Sequence, residues 1–340
     1  MPYRFSQALC VVFMLLASFA SYADDASHKD DTLIRINGST TVEPISSAFA
    51  THFLELHPEV TFKLSATGSG SGAKALINGE CDIANMSRFM KQEEFKAAIE
   101  NGVLPVFHTV AMDGLMVITH PSNPVYGLSI DQVRSIYSGV VTNWREVGGP
   151  DLEIVVISRD NKSGTQKVFN KLVMNGVKDK PDYQMEHNRL IQQLVQQEPG
   201  AIGYGGMAYL DGVKALAING IEPTAANVAS GKFPIARPLF MVTNGYPKLG
   251  SHVQHFIDFY AKPDGRKAIE AAGYVSVQGY GKMTIRDVIE HYWPWLTVFL
   301  LAVMTLFAVR SRLANNAIRQ RENEVRQLRN YLSDIINSMP

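Results

Sequence analysis

The sequence predicts an α/β domain of two lobes joined by a hinge, followed by one transmembrane helix and a cytoplasmic coiled-coil helix. Three observations predict it. From about residue 32 to about 283, short β-rich runs alternate with longer amphipathic ones, the pattern of helices layered on mostly parallel strands. Two extended stretches, 106–117 and 235–242, are spaced so that a central block can be inserted between two parts of one outer lobe. Residues 293–309 form an apolar run without a charged side chain.

Taken in order, the runs 33–36, 60–64 and 154–157 read as strands. Residues 45–56 predict a helix with Ile45, Ala48, Phe49, Phe53 and Leu56 on its apolar face, ended by Pro58. Residues 73–78 begin a second helix and 92–100 a third. The apolar, β-branched run 112–119 predicts one strand. Ser129 is the expected N-cap of a helix through Tyr137. The turn 160–165 leads into a helix over 166–174, residues 188–197 are helical, and 200–206 form a glycine-rich strand and turn. The expected binding domain spans 32–288, with one lobe over about 32–110 and 238–283 and the other over about 111–237.

At the N-terminus, Arg4, an apolar run over 8–20 and the small residues Ser21-Tyr22-Ala23 predict a secretory signal peptide over 1–23. The acidic segment 24–31 reads as a solvated tail. Removal of the signal takes Cys10 with it and leaves Cys81 alone, so the exported domain relies on its core rather than on a disulfide. Residues 289–309 predict the single transmembrane helix, with Tyr292, Trp293 and Trp295 at one interface and Arg310 and Arg312 at the other. Six arginines against three acidic residues over 310–340 place that end in the cytoplasm and the domain on the opposite side of the membrane.

The 32 basic and 32 acidic side chains balance, and no basic run with interleaved aromatics occurs, which argues against a nucleic-acid partner. Three Ser/Thr/Gly segments each stand between an expected strand and an expected helix: Gly38-Ser39-Thr40-Thr41, Gly68-Ser69-Gly70-Ser71-Gly72 and Ser163-Gly164-Thr165. Each offers hydroxyl donors and unpaired helix N-terminal N–H groups, and Arg88 and Arg159 lie in similar loops. Such groups suit a small tetrahedral anion.

With Val42-Glu43-Pro44, Asp82-Ile83-Ala84-Asn85-Met86-Ser87-Arg88 and Arg159-Asp160-Asn161-Lys162-Ser163-Gly164-Thr165 added, these segments resemble, in order and spacing, the periplasmic phosphate-binding proteins of bacterial phosphate ABC transporters. The resemblance implies a class II periplasmic-binding-protein fold with dehydrated phosphate held between its lobes. It implies contacts from Thr40 and neighbouring Ser39 or Thr41, and from Ser69, Arg159, Ser163, Gly164 and Thr165, and the loop residues Ser71 and Arg88 complete the expected cradle. Where better-known members place an aspartate that accepts the proton of hydrogen phosphate, this chain has Arg88. Asp82 and Asp160 are the alternatives for that role, on which selectivity against sulfate depends, and Asp160 is equally suited to orient Arg159.

No catalytic residue, cofactor or metal is expected. Ser163 has no histidine nearby and lacks a nucleophile elbow; His52/His57 and His252/His255 are the close histidine pairs, and His252/His255, without a third ligand in sequence, reads as a solvated pair. Within 310–340, Ile318, Val325, Leu328, Leu332, Ile335 and Met339 follow three-and-four spacing, the seam of a homodimeric coiled coil. Residues 328–340 resemble the linker that introduces a PAS domain in membrane-bound sensor histidine kinases, although no histidine or glycine follows the apolar run. The expected role is the phosphate-sensing part of a two-component-type signalling protein anchored in the bacterial inner membrane, with its binding domain in the periplasm. Its output domain is absent from this chain, either continuing it or supplied by a separate cytoplasmic signalling partner, with no kinase domain in this chain. The alternative is a tethered capture protein beside an ABC permease.

Overall fold

The computed structural model describes residues 32–277 and, past them, positions 297, 301, 304–306, 308, 310 and 312. The expected signal segment, the acidic tail, most of the 289–309 segment and nearly all of 310–340 lie outside the described residues. The isolated positions past 277 are helical, and among the described residues no helix is long and apolar enough to cross a membrane. The chain forms two compact units, 1–281 and 282–340, and the first holds everything that follows.

Two sheets organise this unit. The first contains β1 (Leu33–Gly38), β2 (Thr61–Ser65), β3 (Ile83–Met86), β4 (Pro105–Gly114), β12 (Ala236–Asn244) and β13 (Val275–Ser276), in the order β13-β4-β12-β3-β1-β2. Strands β1, β2 and β3 are parallel, while β12 runs antiparallel to both β3 and β4. The second contains β5 (Met116–Thr119), β7 (Val155–Arg159), β8 (Tyr183–Met185), β9 (Ala201–Gly205) and β10 (Lys214–Ala215), in the order β10-β5-β9-β7-β8. A ribbon of β6 (Gly127–Leu128) and β11 (Ala217–Ile218) stands apart.

The run 112–119, expected as one strand, is two. β4 ends at Gly114 and β5 starts at Met116, so the chain changes sheets at Leu115, whose N–H is held by Ile235 O at 2.8 Å. Every residue from Val110 to Thr119 is buried, so apolar character alone carries no mark of where one sheet ends.

The helices are α1 (Glu43–Leu56), α2 (Ser69–Ile77), α3 (Gln92–Glu100), α4 (Ile130–Tyr137), α5 (Gly164–Phe169), α6 (Asn188–Gln197), α7 (Ala225–Ala229), α8 (His252–Asp258) and α9 (Pro263–Ala271). Ser129 caps α4 as expected, accepting from Gln132 N. Helix α2 starts four residues before the expected 73, because its first turn is built from Gly and Ser, which carry little helix propensity. They are there for fit: a Cβ on Gly72 would come within 2.7 Å of Gly38 Cα, so α2 lies directly on the end of β1. The helix expected over 166–174 begins at Gly164 and widens into a π turn at Asn170–Met174.

Candidate anion-binding site

All three Ser/Thr/Gly segments meet where the ends of the two sheets face each other. β1 stops at Gly38, whose φ of 133° excludes a side chain and whose Cβ would overlap Asn85 O. The turn that follows is wound by Ser39: its carbonyl accepts from Val42 N and Glu43 N, and its hydroxyl accepts from Thr41 N at 3.1 Å. Thr40 and Thr41 are thereby held, fully buried, at the start of α1.

The second segment contributes Ser69, the first residue of α2. Its Oγ accepts from Ser87 N at 3.1 Å and lies 3.2 Å from Ser87 Oγ. Ser163 of the third segment caps α5 by accepting from Gln166 N at 3.2 Å. The segments touch: Thr41 Oγ1 is 2.9 Å from Thr165 Oγ1, Gly70 N donates to Lys162 O at 3.1 Å, and a Cβ on Gly164 would sit on Ser69 Oγ and Ser87 Oγ.

Arg159, at the end of β7, supplies the charge. It is 1% exposed, and its guanidinium donates to Met185 O (3.1 Å), Asn188 Oδ1 (2.7 Å) and Glu186 O (2.7 Å). All three acceptors are neutral, and two of its five N–H donors have no acceptor among the described residues. Burial pushes its pKa down to about 10, so it stays cationic at neutral pH. Asp160 acts on it only through space, and a buried cation whose hydrogen bonds all go to neutral acceptors favours an anion in direct contact.

The PBP superfamily domain model matches residues 25–264. The phosphate-binding protein PstS of Bacillus subtilis is 30% identical over 288 residues, 81% of this chain and 92% of the relative. The chain belongs to the PBP superfamily, among its PstS-like proteins. SphX of Synechococcus elongatus is 33% identical, covering 72% of this chain and 77% of SphX. Among solved structures, a substrate-binding protein assigned to phosphate ABC transport in Clostridium perfringens, with bound phosphate, superposes at a TM-score of 0.66 and 34% identity, covering 72% of this chain and 99% of that one. An ABC-type phosphate transport receptor of Vibrio cholerae superposes at 0.58 and 30% identity, covering 71% and 99%.

Two residues that the sequence placed in the cradle of this PstS-like domain are engaged elsewhere. Ser71 donates its hydroxyl to Thr67 O at 3.1 Å, one turn back along the chain. Arg88 forms a fork with Glu94, 2.7 Å to each carboxylate oxygen, and also donates to Phe89 O. Its side chain is buried and its Nη2 lies against Gly70, so Arg88 flanks the start of α2 with its charge already compensated. Of the two carboxylates offered as proton acceptors, Asp82 forks onto Arg35 at 3.0 Å, whereas Asp160 keeps a buried Oδ1 without a hydrogen-bond partner.

The fold adds residues that the sequence reading missed. Asn188, at the start of α6, donates to Thr41 Oγ1 (3.0 Å) and Thr40 Oγ1 (3.3 Å) while accepting from Arg159. Asp113 and Arg237 face each other across β4 and β12 as a buried pair at 2.8 Å, and Arg237 Nη2 reaches Thr41 Oγ1 at 3.5 Å. Burial pushes the Asp113 carboxyl up against the opposing pull of Arg237, and Arg237 Nη1 is buried without a partner. Tyr209 and Tyr274 donate to Thr40 O and Thr41 O, both at 2.6 Å, fixing the first turn from outside. One sequence signal was available: Asp113 and Arg237 are charges set within apolar strand runs, and such charges are rarely buried unless paired.

Proposed function

We propose that the domain over 32–277 binds phosphate, as the dianion, between Thr40 and Thr41, Ser69, Arg159, and Ser163-Gly164-Thr165. Ser39 shapes the first turn, and Asn188 and Arg237 complete the polar wall. The buried, neutrally solvated Arg159 carries this reading. A charge-assisted hydrogen bond contributes about 1.5–3 kcal/mol, and a micromolar site needs about 8 kcal/mol, so five or six contacts suffice after ordering costs. The relatives named as phosphate-binding proteins support the same ligand, and the domain acts by binding rather than by catalysis. Calorimetry of the full chain in detergent with phosphate, sulfate and molybdate tests it. Phosphate heat that is absent from the wild type, or unchanged in Arg159→Ala, refutes it.

For the whole chain we propose export by 1–23, anchoring in the bacterial inner membrane by 289–309, and signalling through a dimeric cytoplasmic helix over 310–340. The seam spacing and arginine bias of that segment support this sensor role. A second reading, phosphate capture for an ABC importer, is favoured by the transport relatives. Disulfide trapping of Leu332→Cys in membranes separates them: a sensor gives crosslinked dimers whose yield changes with phosphate, while a capture protein gives none and co-purifies with a permease.

A further inference from the structure

At the far end of α1 from the cradle, three metal-ligand side chains meet that lie far apart in sequence. α1 ends at Leu56 with His57 as its C-cap because Pro58 cannot continue it, and Glu59 turns back toward the helix end. His252 opens α8, the residue after the Ser251 cap. Glu59 Oε1 lies 3.3 Å from His57 Nδ1 and 3.2 Å from His252 Nε2, and the three ligand atoms fall within 4.8 Å of one another. We propose that His57, Glu59 and His252 form a binding site for a divalent transition metal of the zinc class.

The spacing fits such an ion. Bonds of about 2.0–2.1 Å in a tetrahedral shell place donor atoms roughly 3.3–3.4 Å apart, close to both measured separations. Two imidazoles and one carboxylate are ligands that zinc takes readily, with a fourth position left for water. Packing sets the rings in advance: His57 stacks on Phe53 at 4.5 Å, His252 meets Phe53 edge-on at 6.2 Å, and the two imidazoles lie 5.2 Å apart at 70°. Glu59 is half exposed, so an ion enters from solvent without opening the core. The expectation that His252/His255 is a solvated pair without a third ligand rested on neighbours in sequence, whereas the fold sets His57 beside His252. Bound metal would clamp the end of α1 to α8. The 14 residues of α1 keep the clamp about 21 Å from the cradle, so the two sites can be altered separately.

The same geometry also suits a carboxylate bridging two imidazole N–H groups, so metal binding itself is the readout. Equilibrium dialysis of the full chain in detergent and phosphate-free buffer, with zinc chloride, is expected to give one ion per chain. Cobalt(II) in its place is expected to give intense tetrahedral visible bands. His252→Ala and Glu59→Gln are each expected to weaken zinc binding at least tenfold and to abolish the cobalt bands, while phosphate calorimetry on both variants reports that the domain is folded. Saturating zinc is expected to raise the melting temperature by on the order of 5 °C. No zinc uptake at about 100 µM, or uptake unchanged in both variants, overturns the proposal.

Discussion

Thr41 Oγ1 and Thr165 Oγ1 stand 2.9 Å apart although 124 residues separate them, Thr41 in the turn that follows β1 of one sheet and Thr165 in the first turn of α5, which follows β7 of the other. Thr41 also receives Asn188 at 3.0 Å, so it stays satisfied if Thr165 is changed. Thr165→Val is therefore expected to shift the ligand-free melting temperature by no more than a few degrees while weakening phosphate binding by roughly 10- to 100-fold, one charge-assisted hydrogen bond. Calorimetry beside a melting curve separates the two effects.

The two arginines are expected to differ sharply. Arg88 forks onto the Glu94 carboxylate, whereas every hydrogen bond of Arg159 goes to a neutral acceptor. Arg159→Met is expected to raise the phosphate Kd by about 100-fold or more, since it removes both a charge and its donors. Arg88→Met is expected to change it by less than about tenfold, because the pair contributes little net field. Equal losses would place Arg88 on the anion.

Gly164→Ala puts a methyl group into overlap with Ser69 Oγ and within 2.6 Å of Ser87 Oγ, at a buried junction of the two sheets. Overpacking of this kind costs about 1–3 kcal/mol. A lowered melting temperature together with loss of phosphate binding is expected. A variant that binds normally would show that the serines yield freely.

Asp160 and Asp82 provide a selectivity test. Asp160 keeps a buried, unpartnered Oδ1, whereas Asp82 is forked to Arg35. Asp160→Asn is expected to reduce the preference for phosphate over sulfate by about tenfold, the value of one hydrogen bond to a charged group. Asp82→Asn is expected to lower stability and leave that preference alone.

His187 predicts a pH dependence. Burial pushes its pKa below the ordinary 6.5, and its Nδ1 accepts from Arg189 N, which requires the neutral ring. In the window below pH 6.5 the unfolded chain binds more protons than the folded one, so stability is full above 6.5 and is lost as pH falls through the lower folded value. His108, also lowered by burial, acts in the same direction. Melting temperature against pH is expected to decline below 6.5, and His187→Asn, which keeps a helix-capping side chain, is expected to flatten part of that decline. An unchanged profile would remove His187 as a cause.

Much of the architecture was legible in the sequence because it is written in local terms. The helices at 92–100 and 188–197, the Ser129 cap and the strand–turn–helix character of the three Ser/Thr/Gly segments follow from periodicity and capping chemistry. The change of sheets at Leu115 did not, because a run buried on both faces has no period to interrupt. Residue type marked Arg88 and Arg159 alike, yet Glu94 compensates only the first.

By itself, then, the sequence determined which residue types stand at the ends of which strands, and hence that hydroxyls and a guanidinium are available for a small anion. The tertiary structure decided which of them converge. It took Ser71 and Arg88 into local bonds, brought in Asn188 and the Asp113–Arg237 pair, and set His57 beside His252. The reason is physical: propensity and capping act over a few residues, whereas burial, charge compensation and donor geometry are properties of neighbours in space, and those neighbours are assigned only when the sheets close.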